Sequence, residues 1–266
     1  MKLEPSGERM ILEHYHSSAE DRVIMAMHLA TYDFARSFTR GKRVLDFGCG
    51  SGYGSALIAR EADTVQGVDV AQDAVDFANE TYATSNLDFL CIDPAQPLPY
   101  ADGTFDTVLS FQVFEHVTKV EEYLHEVKRV LAPGGVLLLV TPDRSTRLLP
   151  FQRPWNRWHV KEYSERSLAR VLRKHFQQID MLAMSGVRDI IQVELDRCRT
   201  VKWLSLPMTL PIYPDRVRVA LLNLVHGWRG RQPGKESMPG QPVDPSSISI
   251  GPQLRPSLNL VAVVRK

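Results

Sequence analysis

Residues 42–59 read KRVLDFGCGSGYGSALIA. A short apolar run ends in an acid, four glycines follow at alternate positions (Gly48, Gly50, Gly52, Gly54), and a tail of Ala, Leu and Ile favours a helix. Glycine is conformationally costly, so a cluster of it between a strand and a helix marks backbone that turns tightly or lies close against a ligand. Downstream, short β-rich runs alternate with helical patterns. The strands are RVLDF (43–47), TVQGVD (64–69), LDFLCI (87–92), TVLSF (107–111) and VLLLV (136–140). Helices fall at Gly54–Arg60, Ala71–Tyr82 and Val120–Leu131, and in the last of these Val120, Tyr123, Leu124, Val127 and Leu131 keep helical spacing. Such alternation predicts an α/β doubly wound domain with a mainly parallel sheet covered on both faces.

The rest of the chain completes that plan. SERSLARVLRKHF predicts a helix capped at Ser164, QIDMLAMSG a sixth strand, and LNLVAVVRK a seventh and last strand inserted antiparallel beside it. The expected division is an N-terminal helical cap (1–41), a core (42–186 and 258–266) and an insertion (187–257), which its length marks as a lid or substrate element. Within it, DRVRVALLNLVHGWRGR places Val217, Leu221, Leu224, Val225 and Trp228 on one stripe with Arg216, Arg218, Arg229 and Arg231 around it. A basic amphipathic helix of this kind packs as a lid or lies on a membrane surface, here over residues 215–231. GRQPGKESMPGQPVDPSS reads as a mobile loop.

Composition narrows the function classes. The chain has 266 residues, 44% apolar and 24% charged, with net charge +1, so bulk charge favours neither nucleic acid nor an anionic membrane. Cys49, Cys91 and Cys198 match no disulfide framework, and no His, Cys or carboxylate group shows metal-ligand spacing, so no metal is expected. MKLEPSGERM is polar where a leader peptide is apolar, and no run reaches the ~20 apolar residues of a membrane span. The expected location is the cytoplasm.

Ligands of a doubly wound sheet bind beyond the carboxyl ends of its strands. The first strand ends in Asp46 and the glycines, the second in Asp69, the third in Asp93, and the fourth runs into FQVFEHV with Glu115 and His116. A dinucleotide fingerprint, G-x-G-x-x-G, fails in both registers, because Tyr53 or Ser55 takes the last place, and no G-K-[ST] follows for a P-loop. An acid directly before the loop repels a pyrophosphate and suits a positively charged nucleoside.

VLDFGCGSGYGS, GVDV around Asp69, Asp93 after the third strand, FDTVLSFQVFEHV and EVKRVLAPGGVLLLVTP together resemble the class I S-adenosylmethionine-dependent methyltransferases. The resemblance covers about residues 40–186 and returns at LNLVAVVRK. GER, HLATYDFA and WHVKEYS are similar to bacterial methyltransferases of glycan and small-molecule pathways. The family implies a seven-stranded Rossmann-like sheet and S-adenosylmethionine held by Asp46, Gly48, Gly50, Gly52, Asp69, Val70, Asp93, Phe111, Gln112 and Tyr32. Asp46 would hold the ammonium group, Asp69 the ribose hydroxyls and Asp93 the adenine amine, with Ile92 and Phe111 or Val113 against the ring, while His28 and Tyr32 cover the cofactor.

His116 and His159 are the candidate catalytic residues, as bases for an acceptor hydroxyl or as groups that shape the pocket. The expected reaction is methyl transfer to an oxygen, less readily a nitrogen, of a small-molecule, sugar-containing or lipid-linked acceptor. A quinone or polyketide O-methyltransferase and a cofactor-binding regulator without turnover are the alternatives. Nucleic-acid bases are not expected as acceptors, because SFQVF stands where base-amine enzymes carry an Asn or Asp, two prolines and an aromatic.

Overall fold

The computed structural model describes residues 18–229 and 242–266. GER, the start of the N-terminal cap and most of the Pro/Gly/Ser-rich loop therefore lie outside the described residues. Helix α1 (Ala19–Thr39) begins at Ser18, whose hydroxyl accepts the Asp21 N–H at 3.0 Å while the Ser18 N–H donates back to Asp21 Oδ2 at 3.1 Å. This reciprocal cap satisfies two donors that a helix start leaves orphaned.

The core follows in the order β1 (Arg43–Phe47), α2 (Tyr53–Ala59), β2 (Thr64–Asp69), α3 (Gln72–Tyr82), β3 (Leu87–Cys91), β4 (Phe105–Phe111), α4 (Val120–Val130) and β5 (Leu131–Pro142). A single-turn helix α5 (Arg144–Arg147), then α6 (Glu165–Leu172) and β6 (Gln178–Gly186), complete its second half. The insertion holds α7 (Arg188–Ser205), α8 (Asp215–Arg229) and β7 (Ile248–Gly251), and β8 (Asn259–Arg265) closes the sheet.

The strand order is β3-β2-β1-β4-β5-β8-β6-β7. Neighbours β1 through β5 pair in parallel, β8 runs antiparallel between β5 and β6, and β7 runs antiparallel along β6. The expected antiparallel insertion of the last strand is present, but the sheet has eight strands rather than seven. Part of the expected insertion belongs to the sheet: its residues 248–251 extend it along an edge that β6 would otherwise leave unpaired. Helix α7 lies against α1 and buries Ile191 and Cys198.

Helix α8 departs from its sequence pattern. Val217 and Leu224, expected on its packed stripe, are 39% and 71% exposed, whereas Arg218 and Leu222 are buried at 1% and 3%. The side chains of Val225, Trp228 and Arg229, and all of Arg231, lie outside the described residues. Arg218 faces inward because it meets a row of carbonyls: its guanidinium donates to the oxygens of Pro154 (2.7 Å), Asn156 (3.2 Å) and His159 (3.3 Å), and to Asp215 Oδ1 (2.8 Å). A fork of five donors suits such a row better than any aliphatic side chain.

Candidate active site

The strand order reverses where β1 leads outward to β2 on one side and β4 lies on the other, and a cavity of about 520 Å³ opens at their carboxyl ends. Its walls include Gly48, Gly50, Asp69, Val70, Phe111, Gln112 and Tyr32, seven of the residues expected to hold a cofactor, with Ile92 and Val113 beside them. Asp69 is fixed by backbone: the Gly50 N–H donates to its Oδ2 at 2.9 Å and the Ala71 N–H to its Oδ1 at 3.0 Å. The loop and the rim carboxylate are thus one rigid unit. Gly48 sits at φ +86°, and a Cβ there would fall 2.3 Å from Val113 Cγ2, so this position admits only glycine.

Three expected contacts are not on the cavity wall. Gly52 is instead the left-handed N-cap of α2, and a Cβ on it would meet Ala78 Cβ at 2.7 Å and the Phe89 ring at 2.9 Å. Its glycine serves the packing of α2 against α3 and β3. Asp93 is exposed and its Oδ1 accepts the Ala95 N–H at 2.9 Å, the turn-closing role of an Asp after a strand. Asp46 lies behind the loop, 1% exposed, with Oδ2 accepting from Ser55 Oγ at 2.7 Å and Tyr32 Oη at 3.3 Å. Burial pushes its carboxyl up to about 6. His28 covers the cavity as expected, its Nδ1 3.0 Å from Tyr53 Oη, and burial lowers its pKa to about 4.

A second cavity of about 500 Å³ adjoins the first and shares two walls with it, Gln112 and Trp158. Gln112 takes φ +57°, uncommon for a side chain larger than glycine and characteristic of functional turns. The second cavity is lined by Pro142, Trp155 and His159 from the core and by Val201, Leu204, Met208 and Leu222 from the insertion. Arg147 and Arg197 stand over the Trp155 ring, 4.1 and 5.3 Å from its centroid. Arg147 Nε donates to Glu162 at 3.1 Å, and Arg197 makes two 2.6 Å bonds to Glu194. The Trp155 indole N–H is buried with no hydrogen-bond partner among the described residues.

His116 and His159, distant in sequence, meet between the cavities with ring centroids 4.9 Å apart and planes at 90°. His116 lines the first cavity and His159 the second. His116 Nδ1 lies 3.2 Å from the Trp158 carbonyl, which only accepts, so Nδ1 carries the proton and Nε2 the lone pair. His159 Nδ1 is 2.8 Å from Glu162 Oε1. Burial alone would raise the Glu162 carboxyl, but Arg147 and His159 hold it well below the usual range, so it is a carboxylate and the His159 lone pair also sits on Nε2. Burial lowers both histidines, His116 to about 4. Sequence reasoning found both rings but none of Arg147, Trp155, Trp158 or Glu162; the doubled tryptophan in WNRWH was the available signal.

A family model described as a methyltransferase domain matches residues 45–139. A Mycolicibacterium smegmatis protein named "Probable S-adenosylmethionine-dependent methyltransferase" is 34% identical over 63% of this chain and 62% of its own length. The fatty-acid O-methyltransferase of the same organism is 34% identical over 49% of this chain and 42% of its own. The chain thus spans only 42–62% of the length of these curated relatives. The YcgJ protein of Bacillus subtilis has the same fold, with TM-score 0.57 and 18% identity, covering 90% of this chain and 98% of that one.

S-adenosylmethionine, the cofactor of that family, fits the first cavity. Asp46 Oδ1 is buried without a hydrogen-bond partner among the described residues, an unmet carboxylate oxygen two residues before the loop, and the bare backbone of Gly48 and Gly50 forms part of the cavity wall. Asp69 keeps a second lone pair on each oxygen for ribose hydroxyls. Residues 45–139 thus carry a methyltransferase domain, and its glycine loop and rim acid stand on the wall of the first cavity, as in the class I S-adenosylmethionine-dependent methyltransferases that the chain resembles.

Proposed function

We propose that the chain transfers a methyl group to a hydroxyl oxygen of a small, partly apolar acceptor seated in the second cavity. One observation carries this reading: two cavities of similar size meet at Gln112 and Trp158, with the His116 and His159 rings at the junction. When bound, the cofactor supplies an electrophilic methyl. Its transfer needs an acceptor atom held in line, and effective molarity from such positioning is a large part of the rate.

The residues divide that work. Asp69 and the glycine loop hold the nucleoside side; Val201, Leu204, Met208 and Leu222 exclude water from the acceptor; Trp155 offers its indole N–H to an acceptor oxygen. His116 and His159, with lone pairs on Nε2, accept the hydroxyl's hydrogen and orient its oxygen. The O-methyltransferase activity in the name of one relative supports oxygen as the acceptor atom.

The test is a panel of phenolic, fatty-acid, nucleotide-sugar and lipid-linked acceptors scored for S-adenosylhomocysteine. Once an acceptor is found, Val201→Trp, which adds an indole to the second cavity alone, is expected to raise KM or abolish turnover, with cofactor affinity by calorimetry changing less than about twofold. A Val201→Trp enzyme that methylates normally would remove the second cavity from the reaction.

A further inference from the structure

We propose that Glu115, His116 and His159 form a site for a divalent first-row transition-metal cation of the zinc class, at the junction of the two cavities. One potential ligand atom from each residue lies within 4.8 Å of the other two. The sequence conceals this group, because adjacent positions 115 and 116 are joined to 159 only by the fold. The expectation of no metal rested on linear spacing, which cannot register such a closure.

Three features of the group suit a cation. Both imidazoles engage Nδ1, one with the Trp158 carbonyl and one with the Glu162 carboxylate, so both lone pairs lie on Nε2. A carboxylate on the far nitrogen of a ligating histidine is the usual support of a metal site, fixing the ring's tautomer and raising its basicity. Glu162 is itself held by Arg147 Nε at 3.1 Å, and its side chain is fully buried, so the support is built into the core. Glu115 adds an anionic oxygen. Its Oε2 accepts from Thr141 Oγ1 at 2.9 Å, and the Glu115 carbonyl accepts the N–H groups of Val160 and Lys161 at 2.9 and 3.1 Å, which ties this position to the segment carrying His159.

The energetics point the same way. Glu115 is 1% exposed and forms no ion pair with a cation among the described residues. A bound dication would supply the counter-charge that a carboxylate buried there requires. Ligand atoms around a tetrahedral ion with bonds near 2.1 Å stand about 3.4 Å apart, so small side-chain movements close the group. Two imidazoles and one carboxylate match zinc-type ions rather than magnesium or calcium, which favour all-oxygen shells.

Three protein ligands leave at least one coordination position open. Resting on the reading of the second cavity as the acceptor site, that position takes the acceptor's oxygen. The cation and a directly hydrogen-bonded hydroxyl are alternatives at the same two Nε2 atoms.

The test uses the full-length, untagged chain without cofactor or acceptor, dialysed against chelator and titrated with Co²⁺ and with Zn²⁺. One equivalent of Co²⁺ is expected to bind with visible d–d absorption, and Zn²⁺ to displace it. Glu115→Gln, which keeps shape and the Thr141 bond, and His159→Ala should each weaken binding at least about 100-fold. Glu162→Gln should weaken it about 10–100-fold without removing a ligand. Circular dichroism shows which variants are folded, and Glu162→Gln with Glu115→Gln suffices if His159→Ala is not. No saturable Co²⁺ binding, or binding unchanged in the folded variants, overturns the site while leaving methyl transfer standing. Metal binding without S-adenosylhomocysteine formation on any acceptor would instead overturn the proposed function and leave the site.

Discussion

Replacing Asp69 by Ala is expected to weaken S-adenosylmethionine binding at least about 100-fold. Two losses combine. The carboxylate's bonds to a ligand are charge-assisted, each worth about 1.5–3 kcal/mol, and two of them exceed the ~2.7 kcal/mol that a 100-fold change in Kd requires. The same oxygens accept the N–H groups of Gly50 and Ala71, so their removal also frees the loop. Asp69→Asn keeps one acceptor oxygen and should fall between the two. Calorimetric titration with S-adenosylmethionine decides this; an affinity within threefold of wild type would show that Asp69 only shapes the loop and that the ligand is held elsewhere. Melting of Asp69→Ala should change by little, since Asp69 stands at the rim of the sheet and not in either apolar core.

The second large effect is expected at Arg218. Its guanidinium is the common partner of three carbonyls on the 154–159 segment, and replacing it by Ala strands the Pro154 and His159 oxygens in a buried place, while Asn156 keeps the His159 N–H at 3.3 Å. A buried polar group left unmet costs about 1–3 kcal/mol, so Arg218→Ala should destabilise the fold by several kcal/mol, felt first on the segment carrying Trp155, Trp158 and His159. Asp215 loses little, being 64% exposed in its side chain. Hydrogen exchange should show the 154–163 backbone opening more readily while β1 and β4 stay protected. Cofactor affinity should fall far less than acceptor turnover. Equal protection in wild type and Arg218→Ala would mean that the segment is held by its other contacts.

The first half of the fold was legible because its signals are local. RVLDF, TVQGVD and QIDMLAMSG are strands over the residues that sequence assigned, since apolar runs bounded by an acid or a glycine leave little freedom in where pairing stops. The glycine loop was legible for the same reason. Asp93 is less legible: an acid after a strand serves a turn as readily as a ligand, and in the structure its Oδ1 takes the Ala95 N–H. Strand β7 escaped because ISIG is too short to carry a pattern, and it exists to cover the edge of β6. Arg218 was misplaced because hydropathy assigns every arginine to solvent, whereas three carbonyls from another segment made it the best-fitting interior residue. The union of Glu115, His116 and His159 is a purely tertiary fact, invisible at any window length.

The placement of β8 has a consequence for synthesis and handling of the chain. Six of its seven residues are buried, and among the described residues it alone joins β5 to β6: Leu138 pairs with Val263, and Ala183 with Leu260. Until residues 259–265 are available, β5 and β6 each present an unpaired, strongly apolar edge, LLLV and MLAM, to any other chain nearby. Truncation upstream of Leu258 therefore does not trim the molecule but splits its sheet in two, and such a product should elute as an aggregate on size exclusion. A monomeric peak would show that β5 and β6 can close on each other without the missing strand. Expression tags and fusions that burden the carboxyl terminus act on the seam that keeps the two halves from self-association.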